Sequence, residues 1–311
     1  MENIVSSVRP VRKKFRRGYS LERRERQVGL LFAIPSIIGF LLFVLLPMLG
    51  IFVLSFVRVD LMSGSFTFEG LKNYVKMFHE NNFWQSVRNT MLYMIICVPL
   101  TLTLGLGMAL VLNTKLYMRG IIRTLFIIPY ITTYVATLVV WNVFLHPTQG
   151  PLNSLLMSLG ISSPPQYMVD PQWALPVLAI IGAWKDVGYH CILFLAALQA
   201  VPRDLYESSS IDGANWRQSF RHITIPLISP TTFFLLLITI IGTLQAFYQM
   251  ALMTKGGPSF STTTLTYYIY RSAFEFSDFS YASAVGVFLF VMTLVFIWIN
   301  WLAQKKWVFY Q

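Results

Sequence analysis

The chain has 311 residues, 55% of them hydrophobic and only 12% charged, with a formal net charge of +11. So few charges cannot solvate the surface of a soluble domain of this length, so the composition excludes one and reads as a polytopic membrane protein. The basic excess sorts by membrane side and calls for no nucleic-acid partner.

A bilayer core about 30 Å thick needs about 20 apolar residues in helical form. Residues 1–27 form a basic tail, expected to be disordered to about Ser20, with Leu21–Gln27 as an interfacial helix entering an anionic leaflet. Span one, Val28–Val57, is far longer than the apolar core of a signal peptide and is expected to stay in the bilayer, kinked at Pro35 and Pro47. The connection 58–89 carries an amphipathic stripe of Phe68, Leu71, Tyr74, Val75 and Phe78. Span two, Thr90–Leu112, has Gly105 and Ala109 four apart, a small-residue pair that suits close helix approach. Span three, Thr124–Leu145, reads as one apolar helix containing Pro129, and the Pro- and Gly-rich connection 146–172 holds a short surface helix at 152–160.

Span four, Trp173–Gln199, is interrupted near mid-depth by Lys185, Asp186 and His190, beside Trp184. Charge at that depth is expensive. Neighbouring helical residues do not face each other, whereas Asp186 and His190, four apart, share a face. Lys185 therefore needs a partner from another segment or from water, and a structural or gating network, a place on the transport path and snorkelling all remain open. In span five, Leu227–Met253, Gln245 and Gln249 present two amides on one face with Tyr248 beside them. Span six is Ala282–Ala303. Residues 28–303 thus form one all-α, six-helix transmembrane domain, followed by a short tail at 304–311. Cys97 and Cys191 fall inside spans and suggest no disulfide, and no metal-ligand or catalytic spacing is present.

Seventeen Lys and Arg residues lie in the tails and the connections after spans two and four, against six in the alternate connections. Cytoplasmic segments hold such an excess, so both termini are expected in the cytoplasm.

Between spans four and five lies the polar stretch Glu207–Pro230. Pro202 suits the first turn of a short helix to Ile211, Asp212-Gly213 is a turn signal, and Asp212 is a candidate N-cap for a second helix. On that helix Trp216, Phe220 and Ile223 form one stripe, with Arg217, Gln218 and Arg221 facing away. Such an elbow suits docking into a groove on another protein or lying on lipid headgroups.

At these residues the sequence resembles the inner-membrane permease subunits of binding-protein-dependent ABC importers, and among them the MalF-like sugar permeases. Their coupling signature is filled by Glu207, Asp212, Gly213, Ala214, Phe220, Ile223 and Pro226, with Ser208 and Ser209 where the family has two alanines. The segments Leu195–Pro202 and Met253–Ser259 also look like the family's. The resemblance implies a type I ABC importer permease fold with a coupling loop at about 202–226. It also implies a second permease of similar fold, two ATPase subunits and an extracytoplasmic solute-binding protein as partners, in a bacterial or archaeal cell membrane. Glu207, Ser208, Ser209, Asp212, Gly213, Ala214, Trp216, Phe220, Ile223 and Pro226 would meet the ATPase. The chain has no phosphate-binding loop, so ATP and Mg are expected on the partner and no cofactor on this chain. Aromatic faces and amides suit a sugar, and Trp184, Lys185, Asp186, His190, Gln245, Tyr248 and Gln249 are candidates for the substrate path or its gate. The competing reading is a stand-alone secondary transporter that uses Lys185, Asp186 and His190 as an ion path.

Overall fold

The computed structural model describes residues 18–60, 64–114 and 117–309, with residues 18–25, 27 and 119 described by backbone only. Most of the basic tail therefore lies outside the described residues. The chain divides into two compact units, Met1–Ile51 and Phe52–Gln311.

The chain is helical from α1 (Gly18–Phe40) through a π-helical turn at Leu41–Leu45 into α2 (Leu46–Leu54), whose last three residues belong to the second unit. Pro47 has no N–H to give Phe43 and its ring crowds that carbonyl, so the one-residue widening just before it relieves the clash. Pro35 is carried inside α1 without a break in the helix.

The second unit opens with a two-stranded antiparallel ribbon, β1 (Val57–Asp60) and β2 (Ser65–Phe68), in the register Val57 opposite Phe68 and Asp60 opposite Ser65. Among the described residues this ribbon is the only sheet. It places Phe68 on a strand, and the following helix, α3 (Lys72–His79), buries Asn73 and Met77 while Leu71, Val75 and Phe78 stay exposed. The expected stripe is thus not the buried face. Asn73 Nδ2 donates to the Ser55 carbonyl at 3.0 Å, and that polar anchor sets which side of α3 turns inward.

Then come α4 (Asn81–Asn113), α5 (Arg119–Ile131), α6 (Tyr134–Phe144), α7 (Pro151–Ser158) and α8 (Pro171–Ala200). The elbow helices α9 (Arg203–Ile211) and α10 (Trp216–Ser219) lead through a second π turn, Phe220–Thr224, into α11 (Ile225–Leu244). The chain ends in α12 (Leu265–Tyr270) and α13 (Phe279–Trp307). Among the described residues five helical segments are long and apolar enough to cross a membrane, or six if the bent pair α5 and α6 is one span.

Two expected spans are not continuous. α5 and α6 meet at 96° across extended Thr132 and Thr133, so span three is broken in its middle. Span five stops at Leu244, where Gln245 to Phe247 leave helical geometry before a π turn at Met250–Thr254.

The core is the packing of α4 on α8, with α11 laid across both. Gly105 makes this approach possible, because a Cβ there would stand 2.8 Å from His190 Cβ. Ala109 continues the seam against Cys191, Phe194 and Leu195. The small-residue pair is therefore spent on a contact within the chain. Lipid tails are as apolar as leucine, so such close packing, not transfer from water, holds these helices together.

Candidate functional site

The elbow is built by two end-cap arrangements. At the close of α9, Gly213 has φ +78°, its N–H donates to the Ser210 carbonyl at 3.1 Å, and the Ala214 N–H donates to the Ser209 carbonyl at 2.9 Å. This pair of bonds satisfies carbonyls that the last helical turn would otherwise orphan, and the left-handed conformation it needs is one that glycine adopts freely. The second helix opens on a capping box. Asn215 Oδ1 accepts from the Gln218 N–H at 3.0 Å, and Gln218 Oε1 accepts from the Asn215 N–H at 2.8 Å. Asp212, expected as that N-cap, instead closes α9. Asn215 is better placed, since only it is followed three residues later by a glutamine that can return the bond.

Two side-chain bonds tie the arms together: Ser209 Oγ with Ser219 Oγ at 3.2 Å, and Tyr206 Oη with Thr224 Oγ1 at 2.9 Å. Ser208 folds back on its own helix, donating to the Asp204 carbonyl at 2.7 Å. Trp216 and Phe220 stack at 5.4 Å over a gap of about 490 Å³ beside the end of α4. Ile223, expected on their stripe, faces the inner crook with Ser209, Asp212, Gly213, Ala214 and Ser219. At the tip Ile211 is 86% and Trp216 70% exposed. Glu207 is exposed and forms no ion pair among the described residues. The motif proline, Pro226, sits just past the π turn at Phe220–Thr224, in the same relation that Pro47 has to the first such turn.

The 29-residue helical run that starts at Trp216 ends at Leu244, and its last turn, with Gly242 and Thr243, lines a cavity of about 340 Å³. Five tyrosines line it (Tyr93, Tyr130, Tyr134, Tyr189 and Tyr248), together with Asp186, His190, Gln245 and Gln249. Both helix breaks open onto this cavity. At the break of span three, Lys185 Nζ donates to the carbonyls of Pro129 at 2.8 Å, Tyr130 at 3.4 Å and Thr132 at 2.5 Å, and lies 4.6 Å from the centre of the Tyr134 ring. A helix end leaves carbonyls without donors, and an ammonium with three N–H groups fits them. At the break of span five, Thr264 Oγ1 donates to the Ala246 carbonyl at 2.9 Å and Thr266 Oγ1 to the Leu244 carbonyl at 3.0 Å.

These clamps fix the lining. Tyr130 and Tyr134 flank the first break and stack on Tyr189 at 4.8 Å and on Tyr248 at 5.4 Å, respectively. Gln249 Nε2 donates to Tyr93 Oη at 3.1 Å. His190 donates through Nδ1 to the Asp186 carbonyl at 2.9 Å, and its Nε2 pairs with Thr239 Oγ1 at 2.7 Å. Of the residues singled out in the sequence, the structure brings Asp186, His190, Gln245, Tyr248 and Gln249 together. The two glutamines line it from either side of a bend, not along the helix face expected of them. Lys185 is 2% exposed and is committed to backbone carbonyls outside this lining. Trp184 points elsewhere, into an apolar groove where it meets Trp141 edge-on at 5.3 Å. Tyr93, Tyr130, Tyr134 and Tyr189 escape a reading of the sequence, because an aromatic in a span reads first as packing. For Tyr130, Tyr134 and Tyr189 the available signal was a phenol oxygen well inside an expected span, away from the interfacial belts where tyrosine usually sits.

Residues 26–308 match the family described as binding-protein-dependent transport system inner membrane component. The trehalose/maltose transport system permease protein MalF of Thermococcus litoralis is 32% identical over 276 residues, covering 89% of this chain and 93% of that protein. The lactose transport system permease protein LacF of Rhizobium radiobacter is 34% identical over 292 residues, covering 92% and 97%. Among solved structures, a chain of a bacterial ABC transporter involved in import of the acidic polysaccharide alginate superposes with a TM-score of 0.79 at 26% identity, over 92% of this chain and 99% of that one. With the elbow, the bent spans and a match along nearly its whole length, the chain belongs to the binding-protein-dependent transport system inner membrane components, the membrane-spanning permease subunits of ABC importers.

Proposed function

We propose that this chain is the sugar-translocating subunit of its importer, with the elbow as the ATPase contact and the tyrosine-lined cavity as its half of the substrate path. The observation that carries this reading is the helical run Trp216–Leu244, which begins at the elbow and ends in the cavity wall. At about 1.5 Å per residue this run makes a lever about 40 Å long. Displacement of the exposed Ile211–Trp216 tip in a cleft of the ATPase is thereby delivered to the bend that carries Gln245 and Gln249. Glu207, free of any ion partner among the described residues, is available to a basic group on the ATPase, while Ser208, Ser209, Asp212, Gly213 and Ala214 shape the tip. Phe220, Ile223 and Pro226 form the start of the lever next to that tip. Phenol rings stack on sugar C–H faces, and amides with a carboxylate bond hydroxyls, which favours a saccharide cargo, as the names of the relatives do. The remaining parts are a second permease of similar fold, two ATPase subunits that hold ATP and Mg, and an extracytoplasmic binding protein. The elbow and both termini lie in the cytoplasm.

The test is reconstitution. Co-expressed with its neighbouring permease and ATPase, the chain is expected to purify as one complex whose ATP turnover rises when binding protein and sugar are added together. Sugar uptake driven by a proton or sodium gradient in vesicles without an ATPase would overturn the reading.

A further inference from the structure

Membership of the importer family leaves the charge of the cargo open, since the named relatives handle neutral disaccharides and the structural neighbour imports an acidic polysaccharide. The cavity itself is more specific. No Lys or Arg lines it, and Asp186 is its one acidic residue. The nearest base in sequence, Lys185, spends its ammonium on the carbonyls of Pro129, Tyr130 and Thr132. Asp186 makes no ion pair among the described residues, so its carboxylate is offered to the cavity. His190 has no free ring nitrogen to offer a ligand, because one is held by the Asp186 backbone and the other by Thr239. The remaining polar lining, the phenols, amides and threonine hydroxyls, is uncharged.

A carboxylate in such a place has two opposite effects on a saccharide. It accepts hydroxyl hydrogens through two oxygens, and a bond to an ionised acceptor is stronger than one between neutral groups. A uronate would bring a second negative charge beside Asp186 into a pocket whose lining holds no Lys or Arg, where repulsion is screened less than in open solvent.

We infer that Asp186 sets the charge class of the cargo, so that the cavity takes uncharged saccharides through hydroxyl contacts to this carboxylate and rejects uronate-containing ones. The inference rests on the cavity being the sugar path.

The complete importer is purified without binding protein, so that the receptor's own selectivity does not enter. It is incubated with an equimolar mixture of neutral oligosaccharides from starch, xylan and arabinan and acidic ones from alginate and pectate, and the retained sugars are measured by mass spectrometry. The wild type is expected to retain neutral over acidic chains by about tenfold or more, a difference of about 1.4 kcal/mol. In Asp186→Asn, which keeps size and hydrogen bonding, that ratio is expected to fall to near parity. In Asp186→Glu, which keeps the charge, it is expected to persist. Equal retention by the wild type, an unchanged ratio in D186N, or uronate retention by D186E would each overturn the inference while leaving the cavity as a sugar site. Retention of no sugar of either kind, or retention that survives a Gln245→Leu, Gln249→Leu double variant unchanged, would instead remove the cavity from the path and the inference with it.

Discussion

Lys185 shows how backbone carbonyls can hold a charge inside an apolar helix bundle. Its ammonium finds three carbonyls that the bend between α5 and α6 leaves without donors, and the face of Tyr134 closes the shell. Each side needs the other. Without the break there would be no free carbonyls, and without the lysine the break would bury unsatisfied acceptors, at about 1–3 kcal/mol for each group. Lys185→Met, similar in length and uncharged, is therefore expected to destabilise the assembled complex by about 3 kcal/mol or more. The measurement is denaturant unfolding of the purified complex in mild detergent, and a midpoint equal to that of the wild type would show that the clamp holds nothing. The sequence announced that Lys185 required a partner but could not supply it, since backbone carbonyls become partners only where a helix is interrupted. Serine at position 209 is a second case. By size it stands in for alanine, yet its hydroxyl bridges to Ser219 across the elbow, a bond that alanine could not make.

Among the elements, prolines and glycines mark the joints, but not always in the way the chain suggests. Pro47 and Pro226 each follow a π turn by two residues and bend nothing sharply, whereas the abrupt breaks occur at Thr132-Thr133 and at Gln245–Phe247. Apolar content alone cannot reveal those breaks, because the runs through 124–145 and 227–253 stay free of charge. What stabilises them, Lys185 and the Thr264 and Thr266 hydroxyls, comes from elsewhere in the chain. The elbow was far more legible. Its turn, its stripe and its residue types are local, and only the identity of the N-cap and the facing of Ile223 needed the fold. Gly213 lets the stiffness of the elbow be tested. No neighbouring atom would clash with a Cβ there, so a substitution acts through φ alone. Asn, which tolerates the left-handed region, is expected to cost little, Ala about 1 kcal/mol, and Pro more, because it forbids a positive φ and deletes the N–H that donates to Ser210. Sugar-stimulated ATP turnover of the complex should fall in the order Gly, Asn, Ala, Pro. Wild-type turnover in Gly213→Pro would remove the left-handed turn from the coupling path.

For the whole molecule, the bent pair α5–α6 decides the topology. If it crosses the bilayer, six crossings put the regions around Ser6 and Lys306 on one side; if it dips in and returns on the same side, five crossings put them on opposite sides. The second unit fixes one end of this comparison. The N–H of Phe309 donates to Ser229 Oγ at 2.8 Å and Trp307 meets Phe233 edge-on at 6.1 Å, so the end of α13 lies beside the start of α11, next to the elbow. The residues after α13 and the elbow therefore share a membrane face. The two possibilities distribute the basic residues differently. A crossing pair puts the basic tail, the 115–123 connection, the elbow and Lys305-Lys306 all on one side, as a cytoplasmic face requires, whereas a re-entrant pair would send either the nine basic residues of the tail or the elbow outside. With Cys97 and Cys191 buried, single cysteines can report on this directly. In intact cells a membrane-impermeant maleimide is expected to label Ser162→Cys, in the connection between α7 and α8, and to leave Ser6→Cys, Tyr117→Cys and Lys306→Cys unlabelled until the membrane is opened. Labelling of Ser6→Cys from outside, with Lys306→Cys still protected, would make α5–α6 a re-entrant hairpin, and the cavity it lines would then be reached from one side of the membrane only.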